Sequence, residues 1–472
     1  MPEWIGARVW HILITLVLLG LLGPSPSPEP MREALREAAM AQGGGRPGSA
    51  LAAVELALEF EPGDLNLHWQ AARLAYAAGT PDVALNHLDA ADRISPTVAE
   101  RTCLRADSVL ATGDPSAALA LWGSLSSVCP DAVNQHRGLA AAYLATGDIV
   151  GYERALSQLV ELAPGDREAL RSLALAKAAR VPTESVPLLR AMDQGSENGD
   201  HLARSLIRAI EEARLEGNPA YSLAQVGQVL AQHGEWLAST WALQRALELE
   251  PDYVEARAYL GMSLDRSGQD GLAELQAAAA AAPQSALPHA FLGLHWRSQG
   301  DASKALAELE TAAQLNPTDP AIAGELGATY EALGDPQSAL AAYLYATQLA
   351  PQEPGFWLLL AQFSLRQELQ VQTIGLPAAR NAATLAPNDP AALDALGYSY
   401  LLVGNASLAE RILTRSLALA PDRPSSLYHL GLLKLKQGDL TSARQALQSV
   451  IDLDPGGNFA DLAQRALERV DS

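Results

Sequence analysis

From Pro288 onward the chain repeats itself with a period of 34 residues, and that period restricts the fold more than any other feature. Gly293, Gly327, Gly397 and Gly431 mark four copies, with a longer step between the second and third. Seven residues after each comes a second glycine: Gly300, Gly334, Gly404 and Gly438. Five further on stands an alanine (Ala305, Ala339, Ala409, Ala443), and twelve beyond that a proline (Pro317, Pro351, Pro421, Pro455). Earlier copies keep the register at Gly227/Gly234/Pro251, Gly261/Gly268/Pro283 and Ala106/Gly113/Ala118/Pro130. A unit this short cannot bury its own apolar side, so the copies must stack on one another.

Each position has a physical reason. Leu292, Leu294 and Trp296 precede the second glycine in a stretch read as helix. The glycine ends that helix in the left-handed conformation it adopts cheaply. Asp or Asn follows, as in Gly113-Asp114, Gly147-Asp148, Gly300-Asp301, Gly334-Asp335, Gly404-Asn405 and Gly438-Asp439, and can cap the next helix. Pro81, Pro115 and Pro336 then stand where a helix tolerates proline, in its first turn. Small residues such as Gly293 and Ala305 allow two antiparallel helices to approach closely. The apolar share of 49% is mostly Ala and Leu, with only 5% aromatics, which favours helix over sheet.

One copy reads Leu326, Gly327, Tyr330, Gly334, Ala339, Tyr343, Ala346, Pro351, and another Leu292, Gly293, Trp296, Gly300, Ala305, Leu309, Ala312, Pro317. This pattern resembles the tetratricopeptide repeat family over about residues 31 to 471. The resemblance implies an all-α solenoid, a right-handed superhelix of antiparallel helix pairs with a concave inner wall. Residues 31–192 form an amino-terminal array, 193–217 an irregular junction and helix, 218–457 a carboxy-terminal array and 458–472 a capping helix. Residues 167–192 lack the turn glycine, and the copy at 354–389 is lengthened around 370–375.

Residues 1–23 read as a transmembrane anchor: 9–23 are apolar apart from His11 and Thr15, with Trp4 and Trp10 flanking. Residues 24–30 alternate proline with serine or glutamate, as a stiff stalk would. Proline after each small-residue cleavage candidate argues against a cleaved signal peptide, the competing reading, alongside a cytoplasmic amphipathic contact. The expectation is a single-pass membrane protein with its solenoid outside the cytoplasm.

The formal charge is −21, which repels phosphate backbones and disfavours nucleic acid as a partner. No nucleotide-binding loop, nucleophile elbow or zinc-protease motif occurs, so no enzyme, cofactor, metal or small-molecule substrate is expected. The resemblance implies a protein or peptide partner on the inner wall, whose positions map to Leu358, Gln362, Leu365, Asp394, Tyr398, Leu401, Leu402, Tyr428, Leu432 and Leu435. In the amino-terminal array, Trp69, Arg73 and Tyr76 share a helical face with interface composition, ordinary core packing of the aromatics being the competing reading. The lysine and asparagine clamp of some family members is not supported, because its fifth position holds Trp69, Cys103, Arg137, Ala224 and Ala290.

Cys103 and Cys129 fall at ends of one repeat's two helices that antiparallel pairing brings together, leaving a disulfide or two buried thiols open. The function expected is a membrane-tethered interaction scaffold, with an accessory subunit of a membrane or cell-envelope enzyme complex as the alternative.

Overall fold

The structure, a computed structural model, describes residues 28–96, 98–125, 129, 131–194 and 199–471. Its described residues form 26 α-helices and no strand. Helices pack chiefly on their neighbours in sequence, the arrangement of a tetratricopeptide-type solenoid. The chain divides into two compact units, ending and beginning at Asn218 and Pro219. Unit 1 holds five helix hairpins followed by the helix His201–Ala213, which packs on Pro182–Gln194. Unit 2 holds seven hairpins closed by the helix Asn458–Asp471, which packs on Leu440–Leu453.

The two glycines of each copy have different physical jobs. The second glycine is the turn: Gly300, Gly334, Gly404 and Gly438 have φ of +78°, +75°, +84° and +81°. The first glycine is a contact: a Cβ on Gly293, Gly397 or Gly431 would sit 2.5 to 2.8 Å from Leu309, Leu413 or Leu447 of the second helix. Those leucines are fully buried, each contributing about 2 kcal/mol from apolar burial. The residue after the turn glycine caps the second helix. Asp301, Asp335, Asn405 and Asp439 accept from the backbone N–H three residues on at 3.0 to 3.2 Å.

The pattern fails where local chemistry changes. Arg167–Arg180 passes to Pro182–Gln194 through Val181 alone, without a glycine. In the lengthened copy, Glu368 and Gln370 adopt positive φ and a π-helical turn Val371–Gly375 leads straight into Leu376–Leu385. Gly375 has no room for a Cβ, which would stand 2.6 Å from Ser364 Oγ.

The single-pass membrane placement is corrected. No helix among the described residues is long and apolar enough to cross a membrane. The longest hold 15 residues, about 22 Å against a hydrocarbon core of about 30 Å. The expected anchor at residues 1–23 and residues 24–27 of the stalk lie outside the described residues, and the stalk reading fails at Glu29 and Pro30, which already form the first turn of the helix Glu29–Gly43.

Candidate functional site

In unit 1 three successive first helices, Leu65–Ala77, Ala99–Ala111 and Ala132–Thr146, line a cavity of about 400 Å³. The period brings equivalent positions together there. Trp69 and Cys103, Arg73 and Asp107, and Glu100 and Asn134 are pairs spaced 34 residues apart, and all six side chains line it. Trp69 is half-buried and Arg73 exposed, its guanidinium 5.9 Å from the Trp69 ring centroid. Arg73 makes no ion pair among the described residues. Tyr76 is exposed one turn further on, and burial and then the charge of Asp107 push its hydroxyl up from the ordinary tyrosine value.

Asp107 is the most perturbed group of the cavity. Burial first, and then the negative charge of Asp131, push its carboxyl up to about 6. Among the described residues it has no hydrogen-bond donor and no counter-ion. Asp131 caps its own helix, its Oδ1 accepting from the Asn134 N–H at 3.0 Å.

Trp122 forms the floor. It stands nine residues after the turn glycine Gly113, where Leu309, Leu413 and Leu447 stand in other copies. An indole is too wide for that slot, so its edge reaches the next hairpin. A Cβ on Gly138 would lie 2.6 Å from Trp122 Cζ2 and 3.2 Å from Asp107 Oδ1. Trp122 is 4% exposed, and its buried Nε1–H finds no acceptor among the described residues. The second helix of this hairpin, Pro115–Gly123, has only 9 residues. The chain beyond it is held by a disulfide between Cys103 and Cys129, whose Cα atoms are 6.2 Å apart and which both line the cavity.

In unit 2 the positions singled out on the inner wall divide. Asp394 and Leu401 are buried at 6% and 5% exposure, so neither offers a free surface. Asp394 accepts from or shares a proton with His429, Oδ1 to Nδ1 at 2.8 Å, across adjacent hairpins. Burial opposes the Asp394 charge, but His429, Ser425 and Arg423 together hold the carboxyl below its ordinary value. Tyr398 stacks on His429 at 3.9 Å and 9°, and Phe459 of the closing helix meets the imidazole edge-on at 6.0 Å. Leu358, Tyr398, Tyr428, Leu432 and Leu435 are half-buried and pack along the core, and Gln362 is half-buried. The inner face of unit 2 is therefore largely committed to joining its own hairpins.

Asp265, Asp270 and His295 bring possible metal-ligating atoms within 4.8 Å of one another. His295 Nδ1 and Asp265 Oδ2 are 2.9 Å apart, and Asp265 Oδ1 accepts from the Gly271 N–H at 2.8 Å. That is the same inter-hairpin pairing as Asp394 with His429. Arg266 and Arg297 on the adjoining cavity oppose a cation there.

Residues 297–363 and 395–458 each match the tetratricopeptide repeat family. The chain carries tetratricopeptide repeats. No curated protein sequence matches it. The tetratricopeptide-repeat chain is similar to several solved structures. One is the Cut9–Hcn1 hetero-tetramer of the APC/C, at 14% identity over 89% of this chain and 98% of that one, TM-score 0.42. Another is a thermophilic TPR protein of Thermus thermophilus, at 24% identity over 39% of this chain and 99% of that one, TM-score 0.34. A third is YrrB, described as a TPR protein with an unusual peptide-binding site, at 18% identity over 40% and 97%, TM-score 0.33. These likenesses are too loose to carry function. Tetratricopeptide-repeat proteins are in general interaction scaffolds rather than enzymes, and the fold implies that role here.

Sequence reasoning reached Trp69 and Arg73 but not Asp107 or Trp122. Adding one period to Arg73 gives Asp107, so the signal was present in the register. Trp122 stands at an ordinary core position, and only its size sets it apart.

Proposed function

We propose that this protein is an interaction scaffold whose unit 1 seats a segment of a partner protein across the helices Leu65–Ala77, Ala99–Ala111 and Ala132–Thr146. The observation that supports this most is the convergence of period-related side chains on one cavity that the described residues leave unfilled. Core positions satisfy their own polar groups, as Asp394 and His429 do. Here, among the described residues, a carboxyl and a buried indole N–H lack a hydrogen-bond partner and an arginine makes no ion pair, lying over the half-buried Trp69 ring, the composition of an interface hot spot. Exposed Tyr76 adds a further aromatic on the Leu65–Ala77 helix.

Photo-crosslinking in the native cell tests the reading. Benzoylphenylalanine replacing Tyr76 should capture one or a few specific proteins. The same group replacing Leu162, exposed on the second helix Ile149–Leu162, should not. Equal labelling from both positions, or none from Tyr76, would contradict it.

A further inference from the structure

We infer that the unit 1 cavity accepts one cationic side chain, arginine in preference to lysine, from a basic segment of the partner. The inference rests on the partner-binding reading of unit 1 and adds the chemistry of the occupant. Glu100, Asp107 and Asp131 put three carboxyl groups on the cavity wall against one base, Arg73. Arg73 lies over Trp69 and neutralises none of them by contact. Asp107 and Asp131 both line the cavity, the charge of Asp131 acts against that of Asp107, and Asp107 lacks a counter-ion among the described residues. A cation beside them removes that repulsion, and a charge-assisted hydrogen bond supplies the donor Asp107 lacks.

The other occupants fit worse. An apolar side chain would leave Asp107 sealed against hydrocarbon without a donor. A carboxylate would bring a fourth like charge into the cavity. The wall also offers an aromatic surface, the half-buried indole of Trp69. A planar, weakly hydrated guanidinium stacks on such a surface and reaches a carboxylate with two parallel donors, which a spherical ammonium cannot do. Asp131 accepts from the Asn134 backbone N–H through Oδ1 and from its side-chain Nδ2 through Oδ2, so it acts on the cavity by its charge. The partner segment is thus basic, matching a chain whose formal charge is −21.

The test selects binders from random dodecapeptides displayed on phage, using the full chain as bait. Selected peptides should share one arginine. Replacing it with citrulline, its neutral isostere, should weaken binding at least about ten-fold, the scale of one charge-assisted hydrogen bond. Asp107→Asn should weaken the arginine peptide by a similar factor and leave arginine and citrulline peptides equal, with circular dichroism and thermal melting confirming an intact fold. Citrulline peptides that bind wild type as tightly as arginine peptides, while still requiring Trp69 when tested against Trp69→Ala, would overturn the cationic occupant and leave partner binding standing. Peptides indifferent to both Trp69→Ala and Asp107→Asn, or failure to enrich any binder, would overturn both.

Discussion

Asp107→Asn should stabilise unit 1 at neutral pH while impairing its binding. The Asp107 carboxyl titrates at about 6 in the folded chain against an ordinary value of 3.8. A carboxyl whose folded value lies above its unfolded one holds its proton more tightly when folded. Stability is therefore highest below about pH 4, falls as pH rises through that window, and carries the whole penalty above about pH 6. A shift of two units corresponds to about 3 kcal/mol, and water at the open cavity reduces this to roughly 1–2 kcal/mol. Asparagine keeps the shape and removes the charge. The assay is hydrogen exchange of the Ala99–Ala111 helix in the full chain, wild type against variant, at pH values from 4 to 8 with intrinsic rates corrected. The variant should be better protected at pH 7.5 by roughly 1–2 kcal/mol, with the difference fading towards pH 4. A neutral or destabilising effect at pH 7.5, or a gain that does not depend on pH, would refute the electrostatic reading of the cavity.

Three further outcomes follow from the packing. Gly397→Ala should cost about 1–3 kcal/mol by denaturant melt, because its Cβ meets Leu413 Cγ at 2.7 Å inside a closed interface. Gly48→Ala, where a Cβ meets nothing within 4 Å, should cost nothing. His429→Ala should cost about 3–5 kcal/mol near neutral pH by leaving Asp394 charged, buried and without its partner. That loss should shrink as pH falls through the depressed Asp394 value, where wild type also gives up the pair. Reduction of the Cys103–Cys129 disulfide, which spans 26 residues, should lower local stability by about 3.5 kcal/mol on chain-entropy grounds. Exchange of the Pro115–Gly123 helix should then accelerate while unit 2 is unchanged.

The fold was legible because one period fixed several things at once. The turn glycines, the capping Asp and Asn residues and the close-contact glycines each answer a local demand that does not depend on distant sequence. The groove was harder to read. Counting positions along a first helix identifies which residues face inward, but it does not say whether the next hairpin fills the space in front of them. In unit 2 His429 and Phe459 fill it, and Asp394 becomes an internal pair. In unit 1, where the helix Pro115–Gly123 is short, the described residues leave a cavity there. Both differences come from side-chain volume and helix length in neighbouring copies, which the repeat pattern averages away. The junction at 193–217 shows the same limit: the helix His201–Ala213 has no recognisable partner in the sequence yet packs on Pro182–Gln194.

Hydrogen exchange of the full chain, free and bound to a selected arginine peptide, tests partner seating on unit 1 most directly. The expected result is new protection on Leu65–Ala77, Ala99–Ala111 and Ala132–Thr146, with the second helices Pro81–Ile94 and Ile149–Leu162 unchanged. Protection confined to those second helices, or to unit 2 alone, would contradict the account.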